Sequence, residues 1–72
     1  MNYYVYLIGS LKNSKLKTYV GYTKNLRRRL SLHNSGRGAK STRGRMWKFY
    51  YYKKYYSKEK AMHHEYILKK NR

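Results

Sequence analysis

The run Tyr3-Tyr4-Val5-Tyr6-Leu7-Ile8-Gly9-Ser10-Leu11, followed by Lys17-Thr18-Tyr19-Val20-Gly21-Tyr22-Thr23, decides the fold. Both stretches are rich in aromatic and β-branched residues, which suit a pleated, half-buried surface. Lys12-Asn13-Ser14-Lys15 between them is a polar turn, so an antiparallel hairpin is expected. Side chains alternate along a strand, so Tyr4, Tyr6 and Ile8 share one face, as do Tyr19, Gly21 and Thr23. A glycine inside a strand often marks the close approach of a ligand or another backbone. Two tyrosines beside a glycine gap read as the floor of a site. In a chain with 11 tyrosines, sheet filler is an equally good account of this pattern alone.

Downstream, Asn25 is placed to cap a helix over about Leu26 to His33. Asn34 to Arg45 is rich in Gly, Ser, Arg and Lys without apolar period and reads as a loop. Met46 to Tyr56 reads as a third strand, interrupted by Lys53-Lys54. Its tyrosine runs, Tyr50-Tyr51-Tyr52 and Tyr55-Tyr56, read as packing with a capacity for base stacking. Ser57 is placed to cap a final helix to about Lys70, with Glu59 in the first turn, where the helix dipole favours an anion. The expected class is α+β, a small three-stranded antiparallel sheet flanked by helices in the order ββαβα, with residues 1–72 as one domain.

Charge limits the partners. Nineteen Lys and Arg face two acids, a net charge of +17 in 72 residues. Such a chain repels itself unless a polyanion is at hand, and nucleic acid is the leading candidate. An anionic membrane surface would call for a basic amphipathic helix with a bulky apolar face. The best stretch, ending Lys69-Lys70-Asn71-Arg72, is short. No apolar run is long enough to span a bilayer. Met1-Asn2-Tyr3-Tyr4 reads straight into a strand without a secretory signal, so an intracellular protein is expected. The absence of cysteine excludes disulfides, zinc ribbons and thiol nucleophiles. His63 and His64, adjacent on a helix, point about 100° apart and cannot grip one ion together.

Two helical positions break the amphipathic rule. Leu26, Arg29, Leu30 and His33 share one face, so Arg29 is aimed at the sheet while Arg27 and Arg28 point elsewhere. On the last helix Glu65 shares a stripe with Ala61 and Leu68. A carboxylate there is costly unless it is paired or holds a metal. An ion pair with one of the many bases is the plain alternative.

These features, taken in order, are similar to those of the GIY-YIG endonucleases. Tyr4-Val5-Tyr6 and Tyr19-Val20-Gly21 stand for the two signature tripeptides. The sequel Tyr22 to Leu30 with His33-Asn34 matches the family's arginine helix, and Gly36-Arg37-Gly38-Ala39-Lys40 with Thr42-Arg43 resembles its small stand-alone members and branched-DNA nucleases. Ala61 to Glu65 resembles the helix that carries the metal-binding glutamate. Tyr4 stands in place of the first glycine, and the cysteine-rich module of the branched-DNA enzymes is absent. A further helix and an asparagine found in many relatives have no counterpart, and Asn71 is not assigned that role.

The resemblance implies a divalent-metal-dependent hydrolysis of DNA phosphodiester bonds. Glu65 would hold Mg2+ or Mn2+, for which one carboxylate, waters and substrate phosphate suffice. Arg29 would meet the phosphate, Tyr6 would deprotonate the attacking water, Tyr19 would position water or phosphate, and His33 would relay a proton or bind phosphate. Nearby cations are expected to favour the Tyr6 phenolate. Lys24, Arg28, Arg37, Lys40, Arg43 and Arg45 are the expected DNA contacts, reading backbone or shape because no recognition helix is present. Gly38-Ala39-Lys40-Ser41 is not a P-loop, since Ala39 stands where glycine must precede the lysine, and no small-molecule cofactor is expected. A partner protein or a fused targeting domain is the expected source of substrate choice. The competing reading is a non-catalytic basic module that keeps the fold and binds nucleic acid.

Overall fold

The computed structural model describes residues 2–71. Strands β1 (Tyr3–Lys12), β2 (Lys15–Thr23) and β3 (Lys48–Tyr55) form one antiparallel sheet in the order β2-β1-β3. Helix α1 (Leu26–Asn34) follows β2, and α2 (Lys58–Asn71) follows β3. The expected ββαβα order is therefore the observed one. What was read into Met1 and Arg72 lies outside the described residues.

The hairpin closes with two residues. Asn13 and Ser14 adopt positive φ of 53° and 63°, and Lys12 pairs with Lys15. Two left-handed residues give the turn whose twist matches that of paired strands. The closure sets the register that puts Tyr6 opposite Gly21 and Ile8 opposite Tyr19. On the third strand Tyr6 faces Tyr52, with an irregularity between Leu7 and Ile8 that leaves Tyr50 as the extra residue. Tyr50 lies against Gly9, where a Cβ would stand 2.7 Å from its ring.

Alternation gives the sheet two covered faces. Val5 and Val20 pack with Ala61 and Leu68 of α2 on one side. Tyr6 and Ile8 pack with Leu26 and Leu30 of α1 and with Trp47 on the other. Complete burial of residues such as Val5, Ile8 and Val20 contributes about 1.5–3 kcal/mol each.

Both helix starts follow the sequence reading. The Asn25 side chain accepts from the Arg28 N–H at 3.1 Å, and the Ser57 hydroxyl accepts from the Lys60 N–H at 3.3 Å. The Ser57 hydroxyl donates in turn to Glu59, which holds that carboxyl below its usual range. At the end of α1, Gly36 takes φ 82°, Gly36 N–H donates to His33 O and Arg37 N–H to Leu32 O. This is a Schellman closure, and it turns the chain back over the helix it has just left.

The segment after α1 is more ordered than a plain loop. Lys40–Thr42 forms one 3-10 turn, held by the Thr42 N–H and hydroxyl, both donating to Ala39 O. The third strand begins at Lys48 and not at Met46. The cause is Asn34, whose side chain accepts from the Trp47 N–H at 2.6 Å and donates to Trp47 O at 3.2 Å. With both backbone groups of Trp47 bound to a side chain, the ladder cannot include it. Lys53 and Lys54 do not interrupt the strand, because their side chains stand in solvent.

Candidate active site

Four of the five candidate catalytic residues meet on the α1 face of the sheet. Tyr6 rises from β1, buried, and its hydroxyl lies over Gly21 of the paired strand. A Cβ at Gly21 would stand 2.6 Å from that oxygen and 3.2 Å from the Tyr19 ring. Only hydrogen at this position lets both tyrosines lean across β2. The amphipathic period of α1 delivers Arg29 and His33 to the same place. Arg29 Nε donates to the Tyr6 hydroxyl at 3.3 Å, and His33 Nε2 lies 2.9 Å from it. Tyr19 packs its ring 4.9 Å from the His33 ring.

The hydrogen-bond network fixes the direction of each bond. The Thr42 hydroxyl has one proton, and it goes to Ala39 O at 3.0 Å. Toward His33 Nδ1, 3.0 Å away, Thr42 therefore accepts, and Nδ1 carries the imidazole proton. His33 Nε2 is left with a lone pair and accepts from the Tyr6 O–H. The Tyr6 oxygen accepts from Arg29. His33 and Thr42 are both fully buried.

Electrostatics agree with a neutral imidazole. Burial pushes the His33 pKa below its ordinary value, and the Arg29 charge lowers it further. Tyr6 corrects one expectation from the sequence. Its pKa is raised, because burial outweighs the stabilising contact with Arg29. The many cations of the chain are mostly in solvent, where they cannot offset the desolvation of a buried phenolate. Tyr6 is accordingly a hydroxyl at neutral pH.

Glu65 arrives from another direction. Helix α2 covers the opposite face, through Ala61 and Leu68. Among the described residues Glu65 pairs with Lys69 at 3.5 Å, its side chain 19% exposed. Among the described residues no hydrogen bond or ion pair joins it to Tyr6 or Arg29. Its charge does reach the Tyr6 hydroxyl, where it raises the pKa slightly. The pair with Lys69 is an i,i+4 bridge, an ion pair with a base of the kind given as the plain alternative, and with Lys69 largely in solvent it is worth little.

This donor set suits some ions and not others. No group of three His, Cys, Asp or Glu able to hold a metal exists among the described residues. A zinc cage therefore does not fit. A hard cation that keeps most of its waters and needs one carboxylate does fit.

Lys24, Arg28, Arg37, Lys40 and Arg43 are exposed. Arg45 is half-buried, and its Nη2 lies 3.5 Å from Ser10 O, so its guanidinium is turned toward β1. The sequence reading assigned no role to Thr42 or Gly38. A Cβ at Gly38 would stand 2.3 Å from His33 Nδ1, so that glycine lets the returning chain close on the histidine. The quoted runs Gly36–Lys40 and Thr42-Arg43 contained both residues, and nothing in their hydropathy distinguished them.

The GIY-YIG catalytic domain model matches residues 2–72. The UPF0213 protein OB0043 of Oceanobacillus iheyensis is 44% identical over 68 residues, which span 93% of this chain and 76% of that protein. A UPF0213 protein of Streptococcus pneumoniae is 51% identical over 55 residues, 75% of this chain; the match spans 56% of that protein's length. The solution NMR structure of the UPF0213 protein BH0048 from Bacillus halodurans is similar in fold. It has 44% identity and a TM-score of 0.50, with 96% of this chain and 71% of that one covered. The tyrosine, arginine and histidine gathered over Gly21 thus sit in a nuclease-type domain, and this chain belongs to the GIY-YIG catalytic domain family, with the small UPF0213 proteins as its relatives.

Proposed function

We propose that the protein is a divalent-metal-dependent endonuclease that hydrolyses DNA phosphodiester bonds and recognises backbone or shape. One observation carries this reading. The Tyr6 hydroxyl is held between a guanidinium donor, Arg29 Nε, and an imidazole acceptor, His33 Nε2.

In the reaction, the Tyr6 oxygen takes a proton from the attacking water as its own proton passes to His33 Nε2. A raised pKa makes Tyr6 a poor standing base, so this concerted transfer replaces the rare phenolate. The water oxygen bonds to phosphorus, the bond to the leaving oxygen breaks, and that oxygen takes a proton from solvent. Arg29 keeps Tyr6 in place through Nε and offers its other N–H groups to the phosphate oxygens, where charge builds up. Tyr19 walls the site beside His33. Mg2+ or Mn2+ bound at Glu65 would supply Lewis-acid polarisation of the phosphate. Lys24, Arg28, Arg37, Lys40 and Arg43 hold the DNA backbone, and DNA is the expected partner.

The test is cleavage of labelled duplex, fork and flap DNA with Mg2+, Mn2+ or EDTA. Metal-dependent cutting is expected. Glu65→Gln should abolish it with DNA affinity equal or higher, since an anion has been removed. Tight DNA binding without cutting under every metal condition would replace this reading with that of a non-catalytic binding module.

A further inference from the structure

Between Tyr4 and Tyr52 of the sheet and the start of α1 lies an open hollow of about 370 Å3, lined by Tyr4, Lys24, Asn25, Leu26 and Tyr52. We propose that it receives the nucleobase next to the scissile phosphate, stacked on Tyr52. This rests on the endonuclease reading above and adds a base subsite to it.

Position comes first. Tyr52 is the register partner of Tyr6, and Tyr4 is two residues from Tyr6 on the same face. Directly opposed side chains in an antiparallel pair lie about 4.5–5.5 Å apart at Cβ. The hollow shares Lys24 and Asn25 with the one that Arg29 lines, so a base on Tyr52 would be a neighbour of the phosphate at Arg29. The volume falls within the usual range of small-ligand sites, about 300–1,000 Å3.

The lining has the chemistry of a nucleotide. Phe49 meets the Tyr52 ring edge-on with centroids 5.8 Å apart, which braces it, while Tyr52 stays 57% exposed. A braced tyrosine left in solvent does little packing, and its free π-face suits any base. Lys24 and Asn25 also line the adjoining hollow of about 270 Å3 that contains Arg28 and Arg29. One hollow thus offers aromatic and amide surface, the next offers guanidinium, and two shared residues join them. The Asn25 oxygen accepts from the Arg28 N–H, while its amide N–H groups have no partner among the described residues. Donors alone suit the ring nitrogens and carbonyls that every base presents, so this subsite binds without choosing sequence.

The experiment uses full-length protein carrying Glu65→Gln and DNA oligonucleotides with 2-aminopurine at successive positions. The wild-type protein maps the cut on the same strands. Quenching is expected to peak at a position adjoining the cut and to be lost on adding Tyr52→Leu. Tyr52→Phe should retain it, and an abasic residue at that position should weaken binding about 5- to 150-fold. Uniform quenching along the strand, or quenching that survives Tyr52→Leu, would overturn the subsite. If the wild type cuts nothing, the endonuclease reading fails, whereas localised Tyr52-dependent quenching would still establish a base site.

Discussion

The Tyr6 hydroxyl lies 2.9 Å from His33 Nε2 across 27 residues of sequence. This meeting depends on the missing side chain at Gly21, where a Cβ would stand 2.6 Å from the same hydroxyl oxygen. Gly21 has no positive φ, so alanine fits the backbone and strains only the site. Gly21→Ala should lower kcat about a hundredfold, the typical cost of a 1 Å misplacement. Overpacking of about 1–3 kcal/mol should accompany it. Single-turnover kinetics and thermal unfolding check this; normal kcat in a folded variant contradicts the role of the gap.

The tautomer of His33 is set by Thr42, and Thr42→Val removes the acceptor for Nδ1–H. The imidazole then loses its reason to keep the lone pair on Nε2. We expect kcat to fall about 10- to 100-fold with little change in KM, and Thr42→Ser to restore it. A Thr42→Val enzyme with unchanged kcat would remove His33 from proton transfer.

Acid should act on both rate and stability through His33. Its folded pKa lies below the ordinary value of about 6.5, from burial and then Arg29. Activity that needs the neutral ring should persist below pH 6.5 before it falls. The unfolded ring binds its proton more readily, so His33 lowers stability as pH falls from about 6.5 to the folded value, and no further below that. Unfolding midpoints against pH should flatten in this window in His33→Gln.

Arg29→Lys preserves charge but loses the planar fork and the Nε donor to Tyr6. Rate should fall about 10²- to 10³-fold while DNA affinity changes about twofold or less. Equal losses in rate and affinity would make Arg29 an ordinary backbone contact.

Salt should report the exposed cations. Neutralising about six phosphates gives a log–log slope of affinity on salt near −5. Replacing both Arg37 and Arg43 with alanine should reduce the slope by about 2, to a similar extent for all DNA sequences. A slope near zero would remove DNA from the account.

Strand alternation put Tyr6 on one face of its strand and Tyr19 and Gly21 on one face of theirs, and the α1 period turned Arg29 and His33 toward the sheet, whereas their meeting over Gly21 comes from packing that no spacing encodes. The caps at Asn25 and Ser57 were legible because each obeys a local rule that tertiary packing kept. Thr42 was not legible. It sits in a polar segment without period, and its role comes from Gly38 and the Asn34–Trp47 clamp, contacts that no spacing encodes. The raised pKa of Tyr6 was missed because counting cations says nothing about burial. Glu65 showed its anomaly in the helical stripe, but that stripe alone could not tell which side of the sheet it would cover.

Closing β1 onto β2 through only Asn13 and Ser14 bears on the timing of assembly. Hairpins of this kind form in about 1–10 μs. The pairing of Tyr3 with Tyr55 must wait for distant chain ends to meet. The aromatic half of the centre thus lies within one local hairpin, and the guanidinium and imidazole join it from the next helix, which sets a strongly cationic segment against that ribbon. A polyanion at that helix would offset the repulsion between it and the rest of a chain of net charge +17.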